Sequence, residues 1–413
     1  MASELLSTKL RVPPRSHHIV RRDRLVAALE DGIPRHKLTL VSAPAGYGKT
    51  TLLADWARST SLPVAWLSLG EEDNDLERFF RYLLTAWEGA LPGVSDSPLG
   101  ILLGGMMPDR EAVLTAFVNV ADDLPDQIVF VLDDYHLIDD TPIHAALTFL
   151  LDHLPPTVHV VLTGRGKPPL PLARYRARQE LLEIDAEVLQ FQVEETEAFL
   201  NSQMRLGLAN DTIASLHAQL EGWIAGTQMV ALTLRRHDRP ATDLVVSGRH
   251  RFIADYLSQD VLAHLPDELR RFLLRTSILD RLTGSLCDAV TADENGRAML
   301  EAVERENLFL VPLDDNREWY RYHRLFADVL RDELQLRHPD EVAALHRRAA
   351  GWYLAHDLPE PAFEHSLAAH DLDLVVQILE RYETSKLHGG ELSVLQRWID
   401  SIPAMWYTNY PLF

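Results

Sequence analysis

A single cysteine, Cys287, stands in 413 residues, so no disulfide can form within the chain, and a reducing, cytoplasmic setting is expected. Long apolar runs are also missing. Apolar runs such as Ile128–Leu132 and Gly100–Met107 fall far short of a membrane span. Residues 1–20 contain no continuous apolar core, so no secretory leader is expected. Positive charge is scarce as well. With 40 Lys and Arg against 61 Asp and Glu, the net charge is −21, which argues against nucleic-acid binding by these residues alone. At this length one core does not suffice, and two to four domains are expected.

What is present is a phosphate-binding loop in its proper setting. Leu38–Val41 reads as a buried strand, the chain breaks at Pro44 and Gly46, and an apolar-periodic helix starts near Lys49. Strand, glycine-containing turn and helix N-terminus together aim backbone N–H groups and a positive dipole end at polyphosphate. Ala45, Gly46, Tyr47, Gly48, Lys49, Thr50 and Thr51 form the predicted nucleotide-binding loop. Lys49 is placed against the β- and γ-phosphates, and Thr50 with its hydroxyl on Mg²⁺. Ala43 stands where the first glycine of the usual pattern would be, which is tolerable if its φ is negative.

The second anchor is Ile128-Val-Phe-Val-Leu-Asp-Asp-Tyr-His136, five apolar residues ending in two carboxylates. Such a run reads as a central parallel strand, and its C-terminal end is where ligands bind in open α/β sheets. Asp133 is expected to hold Mg²⁺ through water, and Asp134 to orient the attacking water. The bland alternative is a helix cap. His136 has no second His or Cys at ligand spacing, which favours a structural or solvent-facing role over a metal ligand. Val158–Arg165 gives a further strand whose end carries Thr163 and Arg165, a polar and cationic pair suited to sensing the γ-phosphate. Arg21 and Arg22 either bracket a nucleotide edge or are solvated charge, and Arg174, Arg176 and Arg178 either reach phosphate or form a surface cluster.

Between these anchors, Val64–Leu69 reads as a strand, Leu76–Leu91 and Arg110–Ala121 as helices, and residues 93–109 as a mobile Pro/Gly/Ser-rich excursion. A last short strand is expected at Glu187–Phe191. Beyond Gln192 the pattern is helical. Residues 237–248 read as a linker, and Asn307–Leu313 and Trp319–His323 flank a turn, giving helices plus one hairpin. That combination describes a winged helix, here without a basic recognition helix and so read as an interaction or switch domain. From Pro339 on, small residues alternate with aromatics as in stacked helix pairs. The apolar end at Phe413, with no polar cap, leads to the expectation that a longer protein continues from it. The predicted fold is therefore multidomain α/β plus α. Its parts are an N-terminal extension (1–20), a P-loop parallel-sheet domain (21–191), a helical domain (192–245), a winged helix (246–335) and a helical arm or start of TPR-like repeats (336–413).

Taken together, Ser42–Thr51, Val131–Ile138, Glu221-Gly-Trp223 and Tyr320-Arg-Tyr-His-Arg-Leu-Phe326 resemble the large ATP-binding LuxR-type transcriptional regulators of the MalT type, within the STAND class of P-loop ATPases. The resemblance implies an ATP/ADP-binding switch with slow hydrolysis, resting with ADP and self-assembling with ATP when an inducer arrives. DNA would be met only through a C-terminal helix-turn-helix absent here. By the same resemblance His323 would touch the β-phosphate of ADP, and Glu221-Gly-Trp223 would take the place of a Gly-x-Pro motif at the adenine. Two rivals remain: a turnover P-loop ATPase or kinase, for which no acceptor pocket or lid is evident, and a helical-repeat scaffold with an idle loop.

Overall fold

The computed structural model describes residues 5–15, 18–104, 109–236, 251–388 and 392–402. The chain divides into two compact units, Met1–Val245 with Arg305–Asn307, and Val246–Glu304 with Leu308–Phe413. Among the described residues no helix is long and apolar enough to cross a membrane.

In the first unit five strands form one parallel sheet: β1 (Leu38–Ser42), β2 (Val64–Ser68), β3 (Ile128–Asp133), β4 (Val158–Gly164) and β5 (Leu181–Ile184). Their order is β2-β3-β4-β1-β5. β1, β3 and β4 are buried along their whole length, as the unbroken apolar runs predict. Helices α1 (Asp23–Gly32), α2 (Lys49–Ser59), α3 (Leu76–Ala90), α4 (Pro98–Gly104), α5 (Arg110–Asp122) and α6 (Thr141–His153) are interleaved with the strands. Asp75, Asp109 and Asp140 cap α3, α5 and α6 by accepting the N–H of Arg78, Ala112 and Ile143. On one side of the sheet Trp87 of α3 packs 4.9 Å from Phe117 of α5 and 5.4 Å from Phe130 of β3.

Three expectations need correction. Residues 93–109 are not a loose excursion: Val94–Asp96 turns once, α4 follows, and Val94, Leu99 and Leu103 enter the core, with 105–108 outside the described residues. The i, i+4 spacing of Leu99 and Leu103 outweighs the surrounding glycines. The last strand is Leu181–Ile184, not Glu187–Phe191. Asp185 accepts the N–H of Val188 and starts a helical turn over Ala186–Leu189. The N-terminal extension, whose Pro13-Pro14 and weak periodicity read as an extended lead-in, instead carries a 3₁₀ turn at Ser7–Leu10, and Lys9 pairs with Glu72 and with buried Asp73. Helical segments Val193–Gln203, Asn210–Leu220 and Ile224–Arg236 complete this unit, and the predicted linker lies outside the described residues.

The second unit opens with helical turns from Arg251 to His264 and then three helices, Asp267–Thr276, Gly284–Thr291 and Gly296–Arg305. An antiparallel hairpin of β6 (Leu310–Pro312) and β7 (Tyr320–Tyr322) follows, with Leu282 and Tyr320 exchanging backbone hydrogen bonds at its edge. Helix Arg324–Arg337 joins the arm Pro339–Ala355 at His338. In the arm Ala349, Ala350, Ala362 and Phe363 are buried, and Phe363 stacks on Trp398 with ring centroids 4.8 Å apart.

Candidate nucleotide-binding site

The loop Ala43–Gly48 leaves the C-terminal end of β1 and enters α2, at the sheet edge where parallel strands present ligands. Gly46 (φ +80°) and Gly48 (φ +77°) both take the left-handed conformation that a side chain resists, and Gly48 is the residue before the first turn of α2. Ala43 is absent from the positive-φ residues, so its methyl group is tolerated, and its N–H continues the β1–β4 ladder to Gly164 O. Lys49 is buried, and its ammonium donates to Ala43 O at 2.7 Å and Pro44 O at 3.0 Å. Burial first, then the positive charge of Arg165, brings its pKa down to about 8 against the opposing pull of Asp134 and Asp133.

Asp133 ends β3, one strand away from β1, and the interposed β4 supplies the link. Thr163 Oγ1 donates to Asp133 Oδ1 at 2.6 Å and accepts the N–H of Asp134 at 2.8 Å. Thr50 Oγ1 donates to the same carboxylate oxygen at 3.0 Å. Burial and the neighbouring Asp134 push the Asp133 carboxyl up to about 6. One carboxylate and one hydroxyl form a donor set suited to Mg²⁺ shared with phosphate rather than to a protein cage, and among the described residues no cluster of three metal-binding side chains occurs. Asp134 itself takes the left-handed conformation, φ 58°, with its side chain 44% exposed. His136 sits beside it, its Nδ1 3.8 Å from Asp134 Oδ1. Burial and the cations Arg165 and Lys49 hold its pKa at about 4, so it is neutral. Arg165, half-buried just past β4, is near enough to act electrostatically on Lys49, Asp134 and His136.

Sequence reasoning missed how the loop is braced. Trp223 is fully buried, its indole N–H donates to Ala45 O at 3.1 Å, and Ala225 N–H donates to Gly46 O at 3.0 Å. A Cβ on Gly46 would lie 2.5 Å from the Ala225 Cβ and 2.8 Å from the Trp223 nitrogen. Beside Gly48 and Thr51 lies a pocket of about 100 Å³ walled by Ile19, Val20, Phe191, Phe199 and Ile224. Arg22 also borders it, but not as solvated charge. Its guanidinium is buried and donates to Leu189 O, Gln190 O and Glu195, while standing over the Phe191 ring. Arg21 is the exposed member of the pair and meets Asp23 at 2.7 Å. Arg174 and Arg176 pair with Asp152 and Glu183 and so belong to a surface network. His323 lies in the second unit, buried where helix Arg324–Arg337 begins, with its backbone N–H on Phe309 O.

Residues 258–342 match the family described as the MalT winged helix domain. Over 409 residues, 98% of the chain, it is 34% identical to the HTH-type transcriptional regulator MalT of Vibrio parahaemolyticus, covering 45% of that protein. Against MalT of Serratia proteamaculans the identity is 35% over 404 residues, covering 44% of the relative. This chain resembles MalT along nearly its whole length. It spans less than half the length of the MalT proteins it matches. Among solved structures, a Walker-type ATPase of Pyrococcus abyssi superposes with a TM-score of 0.56 at 16% identity, over 77% of this chain and 97% of that one, which establishes the P-loop ATPase fold. The chain thus combines a parallel P-loop sheet, a winged helix and a helical remainder.

Proposed function

We propose that these residues are the nucleotide-operated switch of a MalT-type transcriptional regulator. The observation that carries the reading is the convergence of Lys49, Thr50, Asp133 and Thr163 at one edge of the sheet. The loop amides and Lys49 bind the polyphosphate, and Thr50 and Asp133 hold Mg²⁺, which neutralises phosphate charge when bound. Asp134 orients water for slow hydrolysis, and Arg165 faces the terminal phosphate. The apolar pocket beside Gly48 takes the adenine, an assignment supported by its position and its aromatic walls.

In this reading ADP holds the resting arrangement and His323 contributes to it, whereas ATP with an inducer releases self-association. The two nucleotides act through their different contacts with the two forms. DNA is met through a helix-turn-helix outside these residues, as the name of the relatives suggests. The test compares the mass of the complete protein in ADP and in a non-hydrolysable ATP analogue, with Lys49→Ala alongside. Assembly specific to the ATP analogue and lost in the variant is expected. Nucleotide binding and assembly that survive Lys49→Ala would make the loop idle, and fast unaided turnover would favour an ordinary ATPase.

A further inference from the structure

The second unit contains a cavity of about 320 Å³ that the nucleotide reading leaves unused. It lies between helix Asp267–Thr276 and the joint at His338, where helix Arg324–Arg337 gives way to Pro339–Ala355. Three arginines of one helix line it, Arg270, Arg271 and Arg275. In a chain of net charge −21 such a concentration runs against composition. Asp267 accepts from Arg270 at 2.5 Å and Glu341 from Arg275 at 2.9 Å, while His338 Nδ1 stands 3.4 Å from the other oxygen of Glu341. Three guanidinium groups less two carboxylates leave one positive charge with His338 neutral. Arg271 is exposed, and no ion pair engages it among the described residues. Leu274 and Leu334 give the cavity an apolar wall.

We propose that this cavity binds a small organic anion, a carboxylate or phosphate monoester with an apolar body. The fork of Arg271 takes the anionic oxygens, and the body lies on Leu274 and Leu334. Asp267 and Glu341 already neutralise two of the arginines, so a carboxylate completes the balance and a phosphate monoester, with about −1.5 to −2, exceeds it slightly, whereas a nucleic-acid backbone meets two carboxylates. The lining comes from both sides of the His338 joint, so the bound anion braces the winged helix against the arm.

The test uses the complete chain, with thermal unfolding and calorimetry, and two probes: inorganic phosphate and benzoate. Sodium chloride at matched ionic strength is the baseline. Saturable stabilisation by at least one probe is expected, phosphate alone indicating a phosphate-type ligand and benzoate alone a carboxylate. Arg271→Ala, a surface change that the fold tolerates, weakens it about tenfold or more. Arg297→Ala, which removes an exposed arginine paired with Glu301, leaves it unchanged. Equal responses in wild type and Arg271→Ala, or no saturable response to either probe, overturn the proposal. Loss in Lys49→Ala with retention in Arg271→Ala also overturns it and assigns the anion to the phosphate loop.

Discussion

Trp223→Phe is the sharpest test of how the phosphate loop is held. The phenyl ring keeps much of the indole's bulk but removes the N–H that reaches Ala45 O at 3.1 Å from a fully buried ring. An unpaired, partly buried carbonyl costs about 1–3 kcal/mol, and the space left by the smaller ring raises the total to about 2–4 kcal/mol. For a unit of this size the loss corresponds to a midpoint lower by roughly 5–15 °C. The second tie, Ala225 N–H to Gly46 O, remains, so the loop loosens without leaving the helix. Labelled ADP should then bind about tenfold more weakly, about 1.4 kcal/mol.

Gly46→Ala attacks the same contact from the other side. Its new methyl group adopts a left-handed backbone and meets the Ala225 and Trp223 atoms at 2.5 and 2.8 Å. If both changes act through one contact, the double variant loses less than the sum of the singles by at least about 0.5 kcal/mol. Unaltered unfolding and affinity in Trp223→Phe, or strict additivity in the double variant, would refute the bracing argument.

Three further outcomes are expected. Thr163→Val removes the hydroxyl shared between Asp133 and the Asp134 N–H. Magnesium-dependent tightening of nucleotide binding and any hydrolysis should fall at least tenfold while magnesium-free binding persists, and equal losses in both would count against the assigned role. Arg22→Lys takes the donor from Leu189 O and breaks the fork on Gln190 O and Glu195, which keep only Arg24 and the Gln192 N–H. A destabilisation of about 3–5 kcal/mol in urea unfolding is expected, and a change below 1 kcal/mol would mean that the clamp is dispensable. His159 is buried, with Nδ1 2.6 Å from His36 O and Nε2 2.8 Å from Thr39 Oγ1. A carbonyl only accepts, so Nδ1 carries the proton and the ring is neutral, its pKa lowered by burial to about 4. Above the ordinary histidine value of ~6.5 its contribution is fully present. Stability therefore drains as the pH falls from ~6.5 towards 4, by at most about 1.4 kcal/mol per unit, and His159→Gln should flatten that slope in acid titrations of unfolding.

How much was legible follows from what each feature depends on. Leu38–Ser42, the loop and α2 are coded locally, by an apolar run, two glycines and a helix start, and they were read within a residue or two. So was Ile128–Asp133, and the β6–β7 hairpin was read within three residues, because its strands and turn lie close in sequence. The Trp223 brace was not legible, because 178 residues separate it from Ala45 and nothing near either position announces the other. The isolated Gly-Trp pair in a helical stretch was the available hint, since a buried indole needs an acceptor. Nothing around Arg22 decided between a nucleotide edge and solvated charge, because its acceptors come from residues 189, 190 and 195. α4 was hidden by composition, since glycine and proline around Leu99 and Leu103 masked a short buried face.

The placing of β4 has a mechanical consequence. With one strand threaded between β1 and β3, their backbones stand two ladder spacings apart, roughly 9.5 Å. Side chains from the two sides must span that width to meet, as Thr50 and Asp133 do. β4 is thus a spacer gauge. A bulge or slip in it would change the bore between loop and acid even with every residue of both left in place.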